Sequence, residues 1–218
     1  MSEKYYKKIL CFGDSNTHGY NSKTGMRFSE EERWTCLLQK YLGKDYLIAE
    51  EGLEGRTACF EDPLFEGLCG FHYLYPCLMT HKPVDLLIIM LGTNDVKSRF
   101  AATPENVAKG IERLVQKAKD TPVAFRNGPN ILLITPPPIE PGYETTEVFG
   151  EMGPNCVEKT RRLAPLYEEA AKRLGIHYLD AGQVPGVDMY PYDYMHLSLE
   201  AHNNLAKELA RIIPDVVK

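Results

Sequence analysis

The chain has no apolar run approaching the roughly 18 residues that a membrane-spanning helix needs, and no lysine and arginine cluster that could form a nucleic-acid surface. The nearest approach, Arg161-Arg162, falls in a helical pattern and reads as a solvated face. Neither a membrane nor a nucleic acid is therefore an expected partner. Internal repeats and low-complexity tracts are also missing. The N-terminal Met-Ser-Glu-Lys-Tyr-Tyr-Lys-Lys leads directly into an apolar strand too short to serve as the core of an export signal. A cytoplasmic location is the expectation that follows.

Cysteine is present six times, but with no C-x-x-C pair and no repeated spacing. Cys11 and Cys36 lie in apolar patterns and read as small core residues. Without an export signal, free thiols are expected rather than a disulfide framework. Cys59, Cys69, His72 and Cys77 can be imagined around a zinc ion, yet their spacing fits no structural site of the usual kind. No metal and no organic cofactor is expected.

The chain does have enough apolar sequence for a core: 44% of 218 residues, with 25% charged residues of both signs and a net charge of -5. One domain over residues 1–218 is expected at this length. Short apolar runs alternate with helical patterns. Strands are read at Lys8–Phe12, Tyr46–Ala49, Asp85–Leu91, Ile131–Ile134 and His177–Leu179. Helical spacing runs over Trp34–Leu42, which stops at Gly43. Another helix opens at Thr103-Pro104, with threonine as N-cap and proline in the first turn. Its buried stripe is Val107, Ile111, Leu114, Val115 and Ala118. A third covers Val157–Leu174, with Pro165 predicting a kink or a late start. A last helix is capped by Ser198. Continuous apolar strands alternating with helices predict an α/β fold whose parallel sheet is covered on both faces. Ligands of such sheets bind beyond the carboxyl ends of the strands.

Four polar, glycine-containing segments fall at that edge: Gly13-Asp14-Ser15-Asn16, Glu51–Thr57, Gly92-Thr93-Asn94-Asp95 and Asp193-Tyr194-Met195-His196. Ser15 could be a helix N-cap, or a nucleophile if a base reaches it. Of six histidines, His196 alone is read with a carboxylate three residues upstream on a loop at this edge. Asp193 can hold one ring nitrogen while the other faces Ser15. The Asn94 amide and the Ser15 N–H could donate to an oxyanion, and Gly52 or Gly55 could supply a third donor. A competing reading is a non-catalytic flavodoxin-like module whose Gly-Asp-Ser turn cradles a phosphate. Against it, the turn lacks the glycine-rich loop opening a helix that such sites use.

In chain order, Gly-Asp-Ser-Asn at 13–16, Gly55, Gly-x-Asn-Asp at 92–95 and Asp-x-x-His at 193–196 resemble the four blocks of the SGNH (GDSL-type) hydrolases. The resemblance implies a flavodoxin-like three-layer sandwich with a five-stranded sheet ordered 2-1-3-4-5. It further implies Ser15 as nucleophile, Ser15, Gly55 and Asn94 as oxyanion donors, and Asp193 and His196 completing a triad. Asp14 and Asp95 would be structural supports. Ile9–Ser15, Glu50–Thr57, Leu87–Lys97 and Thr135–Pro138 are similar to the bacterial arylesterase branch, which includes acyltransferases and perhydrolases. This chain departs from that branch at Asn16 and His18, and in the polar segment Tyr20–Arg33. The expectation is a cofactor-free hydrolase of short-chain carboxylic esters acting through an acyl-enzyme on a small-molecule ester. Carbohydrate acetyl-esterase and acyl-thioesterase activities are alternatives on the same residues. The branch also implies a homo-oligomer.

Overall fold

A computed structural model describes residues 5–217; the first four residues of the N-terminal segment lie outside it. Strand β1 (Lys7–Gly13) is followed by the one-turn helix α1 (Ser15–His18). A two-residue ribbon follows, β2 (Tyr20–Asn21) with β3 (Met26–Arg27). Then come α2 (Trp34–Leu42), β4 (Tyr46–Gly52), α3 (Gly70–His81), β5 (Leu86–Met90) and α4 (Pro104–Lys119). The second half holds β6 (Ile131–Thr135), α5 (Val148–Met152), α6 (Cys156–Arg161), α7 (Leu163–Leu174), β7 (His177–Asp180) and α8 (Leu199–Val216). The main sheet is ordered β4-β1-β5-β6-β7 and every pairing in it is parallel, so its five strands run 2-1-3-4-5 in chain order.

Alternation along the strands divides the core in two. Leu10, Phe12, Leu87, Ile89 and Leu133 pack under α3, α4 and α7. Ile9, Cys11, Leu86, Ile88, Leu132 and Ile134 pack against α2 and α8 on the opposite face. Every residue of β5 and β6 is buried, which is why their sequence is apolar without interruption. The edge strand β4 is half-buried except at the exposed Leu47 and runs three residues beyond the apolar run, because ladder hydrogen bonds continue through Glu50, Glu51 and Gly52 whatever their side chains.

The helices follow their local signals with three differences. The α4 stripe is buried as read, and Thr103 caps it by accepting from the Asn106 N–H. The helix expected over 157–174 is two helices joined at Arg162, with Pro165 in the first turn of the second, where its missing N–H costs nothing. Helix α3 has weak sequence signals: it opens on glycine, lacks a side-chain cap and contains Pro76. Cys36 is not a core residue. It lies on the half-exposed side of α2, with its Sγ 3.6 Å from Glu50 Oε1. No helix of the described residues is long and apolar enough to cross a membrane.

The α2–α8 layer contains a fully buried histidine. His202 Nδ1 accepts the Trp34 N–H at 3.2 Å, and its ring meets Phe28 edge-on. Burial, with the nearby His196, pushes His202 down to about 3. A base depressed in the folded state contributes stability above its unfolded value, about 6.5, and loses it as the pH falls toward 3. His202→Asn keeps an acceptor near the δ position but does not titrate. Between pH 7 and pH 4.5 it should lose on the order of 2–3 kcal/mol less stability than the wild type. Urea unfolding at the two pH values measures this, and equal losses would rule His202 out as the acid-sensitive group.

Candidate active site

The carboxyl ends of β1, β4 and β5 deliver Ser15, Gly55 and Asn94, and the segment between β7 and α8 delivers Asp193 and His196. After Gly13, the Asp14 carboxylate caps α1 by accepting the Asn16 N–H at 2.9 Å. This makes Ser15 the first residue of the helix rather than its cap, with its side chain projecting from a tight turn. The turn depends on close packing: a Cβ on Gly52 would fall 2.1 Å from the His18 nitrogen. Gly52 therefore serves packing, whereas Gly55 lines the cleft with φ +77. The Gly13-Asp14-Ser15 turn does open a helix, contrary to the expectation, though only of a single turn.

Ser15 Oγ lies 2.8 Å from His196 Nε2, and His196 Nδ1 lies 2.5 Å from Asp193 Oδ2. The second Asp193 oxygen accepts the backbone N–H groups of Met195 and His196, each at 3.1 Å. Burial raises the Asp193 carboxyl, but these hydrogen bonds and the imidazole outweigh it and hold the group below the usual carboxylate range. Asp193 is therefore held as an anion against the imidazole ring. The side-chain amide of Asn16 spans the backbone on both sides of His196: its Nδ2 donates to the Met195 carbonyl at 3.3 Å, and its Oδ1 accepts the Leu197 N–H at 2.9 Å. Tyr20 covers the imidazole with ring centroids 4.6 Å apart.

Asn94 faces the same cleft. Its Nδ2 donates one hydrogen bond to the Arg56 carbonyl at 3.2 Å, leaving the other amide hydrogen for a ligand. No acceptor among the described residues takes the N–H of Ser15 or of Gly55. Arg56 is buried, with its guanidinium over Phe12 and Tyr73 at 4.3 and 5.2 Å. From there Nη1 donates to the carbonyls of Gly13, at 2.9 Å, and Glu51. It thus ties the Ser15 turn to the segment that carries Gly55.

Asp14 and Asp95 are also buried, away from the imidazole hydrogen bonds. Both Asp95 oxygens accept the Ala58 N–H, at 2.8 and 3.1 Å. Burial pushes Asp14 up to about 6 and Asp95 up to about 7. Acids raised in the folded state contribute stability at low pH that is lost as the pH rises through those values, opposite in sign to His202.

Ser15, Gly55, Asn94 and His196 line one cleft of about 470 Å³. Its apolar lining is Tyr20, Phe65, Leu68, Val148, Met152 and Met195, and Glu54, Glu66, Lys97 and Glu151 bound it. Lys97 is buried and paired with Glu151 at 2.9 Å. The sequence alone marks neither Asn16 as a clamp nor Leu68 and Lys97 as cleft residues. Their contacts are long-range and leave no periodic signal.

Comparison with known proteins places this geometry. The GDSL-like lipase/acylhydrolase family matches residues 11–203. An aryl esterase from M. smegmatis is 35% identical, covering 96% of this chain and 99% of that one, with a TM-score of 0.89. A carbohydrate acetylesterase family member from Sinorhizobium meliloti is 36% identical over 97% and 99% of the two chains, with a TM-score of 0.88. A protein described as a putative arylesterase from Agrobacterium tumefaciens is also 36% identical, over 96% and 99%, at 0.86. No curated protein matches the chain significantly. The family match spans the segments that supply Ser15, Gly55, Asn94 and His196, and the relatives share the whole fold; the chain therefore belongs to the GDSL-like lipase/acylhydrolase family, the SGNH hydrolases, and is a carboxylic-ester hydrolase.

Proposed function

We propose that the protein hydrolyses short-chain carboxylic esters through an acyl-enzyme on Ser15. The observation that carries this reading is the hydrogen-bonded relay Ser15–His196–Asp193 opening into the cleft. A serine hydroxyl is a weak nucleophile until a base takes its proton. His196 Nε2 stands at that proton, and Asp193 fixes the tautomer and stabilises the charge that develops. As Oγ adds to the ester carbonyl, the oxyanion is received by the N–H groups of Ser15 and Gly55 and the free amide hydrogen of Asn94. Collapse expels the alcohol, which takes the proton from His196. Water then attacks the acyl-enzyme with the same histidine as base, and the acid leaves.

A phosphate-cradling role for the same turn is disfavoured, because the Asp14 carboxylate already occupies the helix cap. The Asn16 N–H that would meet an anion there is already taken by Asp14 Oδ1. Acetylated carbohydrates are a second reading, favoured by the S. meliloti relative and by Glu54 and Glu66 beside Tyr20 and Phe65, a polar and aromatic lining suited to hydroxyl-rich alcohols. Relative kcat/KM on aryl acetate and on acetylated sugar separates the two.

Ser15→Ala should leave the fold intact and reduce esterase activity below about a thousandth of wild type, with fluorophosphonate labelling lost. Retained labelling in the purified variant would mean that another serine is the nucleophile. Asn94→Ala should lower kcat by about 10²–10³, or about 2.7–4 kcal/mol, with little change in KM, because the amide acts on charge that forms in the transition state. A large rise in KM at unchanged kcat would instead make Asn94 a ground-state binding residue.

Chain-length preference follows from the cleft walls. Each buried CH₂ is worth about 0.8 kcal/mol only while apolar surface remains to cover it. Here the lining also holds Glu54, Glu66 and the Lys97–Glu151 pair, which a long tail reaching them would have to desolvate. Across p-nitrophenyl esters, kcat/KM should be highest from acetyl to butyryl and fall by octanoyl. A steady rise to octanoyl would show that these charged groups do not bound the acyl chain.

A further inference from the structure

The set of thiols and imidazole that the sequence suggested around zinc is divided by the fold. Cys59 lies against Gly110, Cys77 sits with Glu51 and His81, and Cys69 and His72 come together with Glu61. We propose that Glu61, Cys69 and His72 form a binding site for one divalent cation of the zinc type, adjacent to the ester cleft and separate from it.

Geometry, placement and donor chemistry carry the proposal. The carboxylate oxygen, thiol and ring nitrogen all lie within 4.8 Å of one another, which small side-chain rotations convert to zinc distances. Glu61 Oε1 and His72 Nδ1 are 2.6 Å apart. Both of these side chains are exposed and can open to admit an ion. The backbone under two of the donors is fixed by α3, since Cys69 is its N-cap and His72 its third residue. The three donors line a surface cavity of about 310 Å³, with the buried thiol as the deep donor and the other two toward solvent. The donor set, one sulfur, one imidazole and one carboxylate, suits a borderline-soft ion and leaves a fourth position for water.

Charge distinguishes this cluster from the other. Beside Glu51, Cys77 and His81 stands the Arg56 guanidinium, donating to the Glu51 carbonyl, and Lys8 Nζ donates to the His81 carbonyl at 2.9 Å. Fixed positive charge there opposes a cation, and Tyr73 already takes one Glu51 oxygen at 3.2 Å. Among the described residues, no lysine or arginine lines the cavity at Glu61, Cys69 and His72.

On binding, the Cys69 thiol releases its proton to solvent as the metal–sulfur bond forms. His72 gives up its Nδ1 proton to solvent and takes one on Nε2, so that Nδ1 and the Glu61 carboxylate each donate a lone pair to the metal in place of the hydrogen bond between them. The segment between Glu61 and Cys69 carries Phe65, Glu66 and Leu68, which wall the ester cleft. A bound cation therefore tethers that wall at both ends.

Chelator-treated protein titrated with Co²⁺ and then Zn²⁺ tests the site. A single equivalent should bind, and Co²⁺ should give a sulfur-to-metal charge-transfer absorption. Cys69→Ser should abolish that absorption, and Cys69→Ser and His72→Ala should each weaken Zn²⁺ binding by about tenfold or more. Cys77→Ser and His81→Ala should change neither. Serine is itself a favoured N-cap, so Cys69→Ser should fold and hydrolyse aryl acetate like the wild type in the absence of metal; should it not fold, the exposed His72→Ala decides. Zn²⁺ should also slow amide exchange over residues 61–69 in the wild type only. Absence of the cobalt–thiolate absorption, its loss in Cys77→Ser instead, or exchange unchanged by Zn²⁺ would overturn the proposal.

Discussion

The amide of Asn16 is the contact on which the rest of the site depends. It joins two parts of the chain 181 positions apart, seizing the backbone on either side of His196 from the residue next to Ser15. The imidazole is thereby referenced to the turn that carries the serine. Further bonds anchor the clamp in the core. Trp34 Nε1 donates to the Asn16 carbonyl at 3.0 Å, and the Trp34 N–H is taken by His202 of α8. One continuous set of hydrogen bonds thus runs from the ester cleft through α1 and α2 to the last helix. Its members are buried, where an unmade bond costs the most.

Charge near the site is handled by burial with specific partners. Asp193 remains ionised because two backbone N–H groups and an imidazole serve it, whereas Asp14 and Asp95 are pushed toward neutrality by their surroundings. The three aspartates differ because their environments differ, one bonded to an imidazole and two holding turns. Arg56 buries a guanidinium against two aromatic rings to tie β1 to the segment of Gly55. Such buried polar groups do not maximise stability. They hold the donors at the cleft in one arrangement.

Much of the architecture was legible because it rests on local physics. The apolar runs of β5 and β6, the Thr103-Pro104 start of α4 and the Gly43 stop of α2 each carry their cause in adjacent residues. Helix α3 was not legible, since it is held by packing of Leu74, Cys77 and Leu78 against the sheet despite Gly70 and Pro76. The break at Arg162 was half legible, because proline disrupts a helix but can also occupy its first turn. Cys36 shows the limit of reading a residue by its neighbours: its helix position turns it toward Glu50 and away from the core.

By itself the sequence determined the alternation of strands and helices, the polar segments that must fall at the carboxyl edge of the sheet, and the short list of groups able to do chemistry there. These follow from periodicity, turn residues and side-chain inventory, all of which act over a few residues. Only the tertiary structure decided which of those groups meet. It put Asp193, and not Asp14, on the His196 ring, gave Gly52 to packing and Gly55 to the cleft, and recruited Asn16 and Tyr20 to hold and cover the imidazole. It also set Cys69 and His72 beside Glu61 and apart from the other thiols. Distances between residues far apart in the chain are set by how the two helical layers pack on the twisted sheet, and no local pattern encodes that packing.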